Sequence, residues 1–308
     1  MITSAGLIDG SRIAKADDIL LLVRGSGLFN DIPIARVVSE VAFNQDIKAL
    51  RAGQEVHPRY LFTYLFGIKR KLTELLEFTG IGAGKLDTKK LKELLIPVPS
   101  KDEQEKISQI FDCLDDRIHN LRATNATLEA IAQAIFKSWF IDFDPVRAKM
   151  EGREPEGMDA ETAALFPSEF EESELGLIPR GWREGRLFDL VELKYGKSLR
   201  ASDRHSGQVP VYGSGGITGW HDEAIVNHPT VIVGRKGSVG TLYWEDRPSF
   251  PIDTTFFVSP KAVPLTFCYY TMIGLGLDQL NTDAAVPGLN RDNAYGNTDQ
   301  VPSNAFCD

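Results

Sequence analysis

Between Asp102 and Phe140 the apolar positions fall into two rows, each repeating every seven residues. Phe111, Ile118, Asn125, Ala132 and Trp139 form one row. Ile107, Leu114, Leu121, Leu128 and Ile135 form the other, offset by three or four. No Pro or Gly interrupts the stretch, so the spacing predicts one continuous helix with an a/d seam over five heptads. Ser100 stands three residues before Glu103, the spacing of a capping box that starts such a helix. About 39 residues at 1.5 Å each make a rod roughly 58 Å long. A stripe of that length needs a partner helix, from this chain or another, and cannot be hidden under one small domain. Asn125 is the polar interruption that fixes register at some cost in stability. The competing reading, a core helix of a globular bundle, fits less well because both flanks carry strand patterns.

Before the helix, ADDILLLVRGSG reads as a strand entering a glycine turn, and IPIARVVSEVAF alternates like strand. Tyr60, Leu61, Tyr64, Leu65, Ile68, Leu72, Leu75 and Leu76 have helical spacing. FTGIGAGKLDT is a glycine-rich loop, and TKKLKELLIPVPS gives a short helix and an extended exit. After the helix, residues 142–178 are acidic, punctuated by Pro and Gly, and weakly periodic, which predicts a linker. From Trp182 strand patterns return, followed by a glycine-interrupted helix at TFCYYTMIGLGLDQL and a loop at AAVPGLNRD. Residues 296–308 hold few apolar side chains and predict a disordered tail. The fold class expected is α/β, mixed α+β domains around a long central coiled-coil helix, with segments 1–100, 101–141, 142–178, 179–295 and 296–308.

The flanks resemble each other. ILLLVRGSG, with Asn44-Gln45-Asp46 after it, parallels VIVGRKGSVG with Ile252-Asp253-Thr254 after it. SAGLIDG parallels GSGGITG. YLFTYL and FTGIGAGKLDT parallel FCYYTM and AAVPGLNRD. Four pairs in the same order imply a duplicated domain with the helix between the copies. The first copy lacks a counterpart of IPRGWREGRLFDLVELKYG, and the second stops before a counterpart of LIPVPS and the long helix. The chain therefore reads as a truncated or rearranged slice of a two-repeat protein. The first copy is then expected to be the less stable end, with exposed strand edges.

Composition is that of a globular protein, 43% hydrophobic and 25% charged. The net charge of −9 taken alone argues against nucleic acid, but residues 142–180 alone carry eleven acidic and four basic residues. The remainder is close to neutral and has room for local basic faces. The longest aliphatic run, Ile19 to Val23, ends at Arg24, so no membrane span is expected. No secretory signal is visible. Cys113, Cys268 and Cys307 form neither a metal spacing nor a disulfide framework, which suits a cytoplasmic protein.

Chemical motifs are sparse. GIGAGKLDT lacks the spacing of a phosphate loop, since Gly84-Lys85 is followed by Leu86. It reads either as a tight turn or as an exposed loop from which Lys85 reaches a phosphate, with Asn290 and Arg291 in the parallel place. Arg24-Gly25-Ser26-Gly27 and Arg235-Lys236-Gly237-Ser238 follow strands. Each alone is a turn with a solvated cation, and their recurrence raises a shared binding role. Asp46-Ile47-Lys48 and Asp87-Thr88-Lys89 lack a second carboxylate for nuclease chemistry. His221, Asp222 and His228 have ligand chemistry, but solvated loop residues account for them. No base-methylation motif and no Ser/His/Asp or Cys/His arrangement is present. No catalytic residue, metal or cofactor is expected.

The run from LIPVPSKDEQEKISQIFDCLDDRI through NATLEAIAQAIFKSWFIDFDPVRAKMEG to ELGLIPRGW resembles the specificity subunit of Type I restriction–modification systems. VRGSG, AFNQDIKAL and GLNRD are similar to that family too. The resemblance implies two target-recognition domains, each reading one half of a split DNA sequence, separated by long antiparallel helices that dock modification subunits. Residues 1–100 then correspond to the later part of the first recognition domain and 179–295 to the second. The implied partners are double-stranded DNA and modification and restriction subunits. The heptad seam itself, with no partner helix in the sequence, predicts pairing with a second copy along Ile107, Phe111, Leu114, Ile118, Leu121, Asn125, Leu128, Ile135 and Trp139. Candidate DNA contacts are Arg24, Ser26, Asn44, Gln45, Lys85, Lys197, Ser214, Arg235, Lys236, Ser238, Thr254, Asn290 and Arg291, with Arg235 at a base edge and Lys236 on phosphate. Two other readings stay open: a structural coiled-coil interaction protein, and a stand-alone DNA endonuclease.

Overall fold

The computed structural model describes residues 12–25, 28, 31–79, 83–174, 176–261, 263–280 and 287–301. Helix and strand are mixed, and the chain divides into two compact units, 1–126 and 127–308. The division falls inside one helix, Lys101–Phe140.

That helix begins as its sequence predicts. Ser100 N–H and Oγ both donate to Glu103 Oε2, at 3.0 and 2.7 Å, and Glu103 N–H returns to Ser100 Oγ at 3.4 Å. It ends where Asp142 N–H reaches five residues back to the Lys137 carbonyl. Phe143 then turns left-handed, φ 57°. An aromatic residue there is strained. Burial of its ring against Trp182, 5.4 Å between centroids, opposes the strain.

In the first unit Ile19–Leu22 lies between Ile34–Arg36 and Ile47–Leu50, all antiparallel. The helix Pro58–Gly67 buries Leu61 and Leu65 with Ile19. The periodic stretch ends sooner than the pattern suggests. After a short helix Lys69–Thr73, Leu76–Thr79 is a strand paired antiparallel with Ala83–Leu86, so both ends of the expected glycine loop are strand, and its residues 80–82 lie outside the described residues. Leu21, Leu28, Leu72 and Leu86 make the core here.

The start of the long helix is fastened here by one buried side chain. Gln104 Oε1 accepts from His57 N–H at 2.7 Å, and Nε2 donates to the carbonyls of Glu55 and Pro99 at 3.0 and 2.9 Å. Phe111 packs edge-on to Phe62 and Phe66.

In the second unit four antiparallel strands run in the order Val191–Tyr195, Thr255–Pro260, Thr230–Gly234, Leu242–Glu245. Strand Thr230–Gly234 is buried throughout, because both its faces are covered. The helix Leu265–Gly274 packs on this sheet and meets the end of the long helix, where Phe136 touches Phe267 and Tyr270. Cys268 is fully buried beside the Leu190 and Val263 carbonyls, and burial pushes its thiol up to about 12. A second sheet sets Val209–Gly213 between Gly216–His221 and, in parallel, Phe250–Pro251.

The acidic segment read as a linker carries regular structure. It forms helices Asp144–Met150 and Ala160–Leu165 and a hairpin of Phe170–Ser173 with Gly176–Pro179. Phe143, Val146, Phe166, Ile178 and Trp182 make a core of their own there. In the expected disordered tail, Thr298–Val301 pairs with Arg183–Arg186, which satisfies the backbone that low apolar content leaves unexplained. Residues 302–308 lie outside the described residues. No described helix is long and apolar enough to cross a membrane.

Candidate nucleic-acid interface

The glycine turns of the second unit are brought together by backbone hydrogen bonds. Arg235 and Lys236 N–H both donate to the Thr254 carbonyl, at 2.9 and 3.1 Å. Gly237 N–H donates to Pro287, Leu289 N–H to Arg235, and Lys236 bridges Gly288. Ser214 joins them through its carbonyl, which accepts from Thr241 Oγ1 at 2.7 Å, and a Cβ on Gly237 would lie 3.4 Å from Ser214 Oγ. Gly196 passes so close to Ile252 that a Cβ would stand 2.2 Å from its carbonyl oxygen, so only glycine fits. That approach sets Tyr195 and Lys197 beside the same loops. Lys197, Lys236 and Ser238 are exposed; Ser214, Arg235, Thr254 and Arg291 are half-buried.

The first unit repeats the framework. Val23 N–H donates to Asp46 as Arg235 does to Thr254, at 2.8 and 2.9 Å. Leu86 N–H donates to Val23 as Leu289 does to Arg235, at 2.9 and 2.8 Å. Asp87 caps the helix Thr88–Lys92 as Asn290 caps Arg291–Tyr295. Arg24 pairs with Lys85 where Lys236 bridges Gly288. Position by position, Arg24 therefore matches Lys236, Val23 matches Arg235, and Lys85 matches Gly288. The backbone framework is shared between the copies, one cation is kept (Arg24, Lys236), and the positions beside it differ.

Side-chain geometry divides the candidate contacts. Arg24 and Lys85 are exposed cross-strand neighbours, with Glu77 on the other side of Lys85. Gln45 is exposed, and Asn44 Oδ1 is occupied by Asp46 N–H at 3.1 Å. Asn290 Oδ1 accepts from Asp292 N–H and Asn293 N–H, leaving its amide N–H groups to face outward chemistry. Arg235 Nε and Nη2 donate to the Asp253 carbonyl at 3.3 and 2.8 Å. Ser26 lies outside the described residues. Tyr195 was not among the sequence candidates, yet a cavity of about 300 Å³ is lined by it with Arg235, Lys236, Asn290, Arg291 and Asp292.

A histidine pair gathers at another edge of this unit. Asp222 Oδ1 is 3.1 Å from His221 Nδ1 and 3.4 Å from His205 Nδ1. These three are the described residues grouped for metal ligation, but the His221 Nδ1 lone pair already accepts His205 N–H at 3.0 Å. His228 is not in the group.

Along the seam, Phe111 and Trp139 pack at its two ends. Ile107, Leu114, Ile118, Leu121, Leu128 and Ile135 are exposed, Leu114 by 60% and Leu128 by 58%. Asn125 is exposed among them.

Residues 9–130 match the family model of the Type I restriction modification DNA specificity domain. The chain is 35% identical to the Type I restriction enzyme HindI specificity subunit of Haemophilus influenzae, over 37% of this chain and 33% of that protein. It is 30% identical to the MjaIX specificity subunit of Methanocaldococcus jannaschii, over 54% of this chain and 34% of that protein. The matches thus span about a third of the length of these curated relatives. A crystallised Type I restriction–modification S subunit from M. genitalium is similar at 19% identity and a TM-score of 0.49, covering 95% of this chain and 74% of that one. The family-model match and the two curated relatives bear out the resemblance read from the sequence.

Proposed function

We propose that this chain is a DNA sequence-reading subunit of a Type I restriction–modification assembly. Its two units present loop sets to the two halves of a split duplex target. The observation that carries this is the shared hydrogen-bond framework, which keeps one cation (Arg24, Lys236) and changes the side chains beside it (Val23 against Arg235, Lys85 against Gly288). A reader of two different half-sites needs one scaffold and two side-chain sets, because phosphate contacts position a protein while side chains at base edges specify sequence. Arg24, Gln45 and Lys85 belong to one set. Lys197, Ser214, Lys236, Ser238 and Asn290 belong to the other.

In this reading the chain performs no chemistry. Methyl transfer and cleavage belong to modification and restriction subunits, and the exposed seam from Leu114 to Leu128 is where a partner helix docks. The partner helix comes from a modification subunit or from a second copy of this chain.

Filter binding of randomised duplexes at 50 and 200 mM salt tests the reading, with the modification subunit co-expressed. Phosphate contacts give a log–log slope of about −0.9 for each phosphate neutralised. Selection should enrich a split sequence, and Lys236→Ala should weaken all duplexes alike. Enrichment of no sequence, or Mg²⁺-dependent cleavage by the chain alone, would overturn it.

A further inference from the structure

The cavity beside Tyr195 has a composition that the DNA reading alone does not explain. Arg235 Cζ lies 5.3 Å from the Tyr195 ring centroid, and Arg291 Cζ lies 5.1 Å from the same centroid. Each guanidinium also has a second aromatic neighbour, Phe256 at 5.8 Å for Arg235 and Tyr295 at 5.9 Å for Arg291. Tyr295 is held in place by Leu193 N–H, which donates to its hydroxyl at 2.7 Å. Tyr195 packs edge-on to buried Phe256, 4.9 Å between centroids.

Each cation–π contact is favourable alone. Two cations sharing one ring also repel each other, and Lys236 adds a third positive charge to the same cavity. Among the lining residues only Asp292 is acidic. Arg291 Nε is buried and makes no hydrogen bond with any described residue. Arg235 spends two of its five N–H groups on the Asp253 carbonyl, which fixes its plane and leaves three.

Resting on the reading above, we infer that this cavity binds a phosphodiester group of the DNA backbone. Arg235, Lys236 and Arg291 supply the charge, and Tyr195 is the positioning residue on which both guanidiniums stack. This moves Arg235 from the base edge, where its sequence context places it, to the backbone. An anion between the guanidiniums removes their repulsion. A guanine edge carries acceptors but no charge and leaves the repulsion in place.

Two measurements on the full chain test this. In the first, duplexes of several sequences are bound across a salt series. Arg291→Gln should reduce the magnitude of the slope by about 0.9 on every sequence alike, the value for one phosphate. Tyr195→Ala should do the same, and Tyr195→Phe should stay within about twofold of the unsubstituted chain because the ring face remains. In the second, phenylglyoxal labelling of arginines is followed by mass spectrometry with and without inorganic phosphate. Phosphate should protect Arg235 and Arg291 and leave exposed Arg186 reactive. Protection without any DNA binding upholds an anion site while sinking the DNA reading. DNA binding with unchanged slopes and no protection sinks the anion site while sparing the reading. A loss confined to one sequence in Arg291→Gln also overturns it, since that is the mark of base contact.

Discussion

Arg24 and Lys85 face each other as direct cross-strand partners in an antiparallel pair, two exposed cations side by side. Like charges so placed destabilise a sheet by about 0.2–1 kcal/mol. The pair is tolerable because Glu77 lies across from Lys85 on the other side. Lys85→Gln removes the repulsion from Arg24 and the attraction to Glu77 together, so it should leave urea stability nearly unchanged while weakening DNA binding on all sequences. A large loss of stability would show that Lys85 serves the fold and not a ligand.

Glu245 is buried, accepts Tyr212 Oη at 2.9 Å, and takes Arg247 Nε and Nη2 at 2.9 and 3.0 Å. The Arg247 hydrogen bonds hold its carboxyl down at about 2, from an ordinary 4.5. A carboxylate lowered on folding contributes stability above its unfolded value, and that stability is lost as pH falls from about 4.5 towards 2. The contribution is about 1–3 kcal/mol, with the lower end reflecting the half-exposed Arg247. Glu245→Gln should flatten the denaturation midpoint across this window. An unchanged pH profile would reject the assignment.

Gln104 satisfies three backbone groups with one buried amide. Gln104→Ala strands the His57 N–H and two carbonyls, and each buried unpaired group costs about 1–3 kcal/mol. Water entry into the gap offsets part of this, so a total near 2–4 kcal/mol is expected from urea titration of the full chain. A loss below about 0.5 kcal/mol would mean that the groups find other partners.

Leu121 stands in the middle of the uncovered seam. If a second copy covers it, sedimentation at tens of micromolar, a range in which weak dimers form, should show a dimer that Leu121→Asp dissociates. A monomer for the unsubstituted chain would assign the seam to a different partner.

What was legible in the sequence was whatever local periodicity controls. The long helix and its Ser100–Glu103 cap stand where the heptads place them, because each residue's neighbours along the chain are its neighbours in space. The core of residues 143–182 was not legible. Phe143, Val146, Phe166, Ile178 and Trp182 share no period, and only tertiary contact joins them. Tyr195 escaped for a related reason. Val191 and Leu193 point inward, so strand alternation gives Tyr195 to the core as well, yet it ends its strand half-exposed beside two arginines. The match of Val23 with Arg235 needed hydrogen bonds, since the two side chains share nothing.

The contrast between the two described cysteines makes the chain its own chemical clock. Cys113 lies exposed on the long helix beside Leu114, while Cys268 is sealed under the second unit's sheet. A thiol held up near 12 presents almost no thiolate at neutral pH, and a sealed one presents none to a reagent until the surrounding core opens. With Cys307 replaced by Ser, the slow modification phase times the opening of that core, and the fast phase reads whether anything shields the helix at Leu114. One tube and one reagent thereby follow folding and assembly on separate timescales.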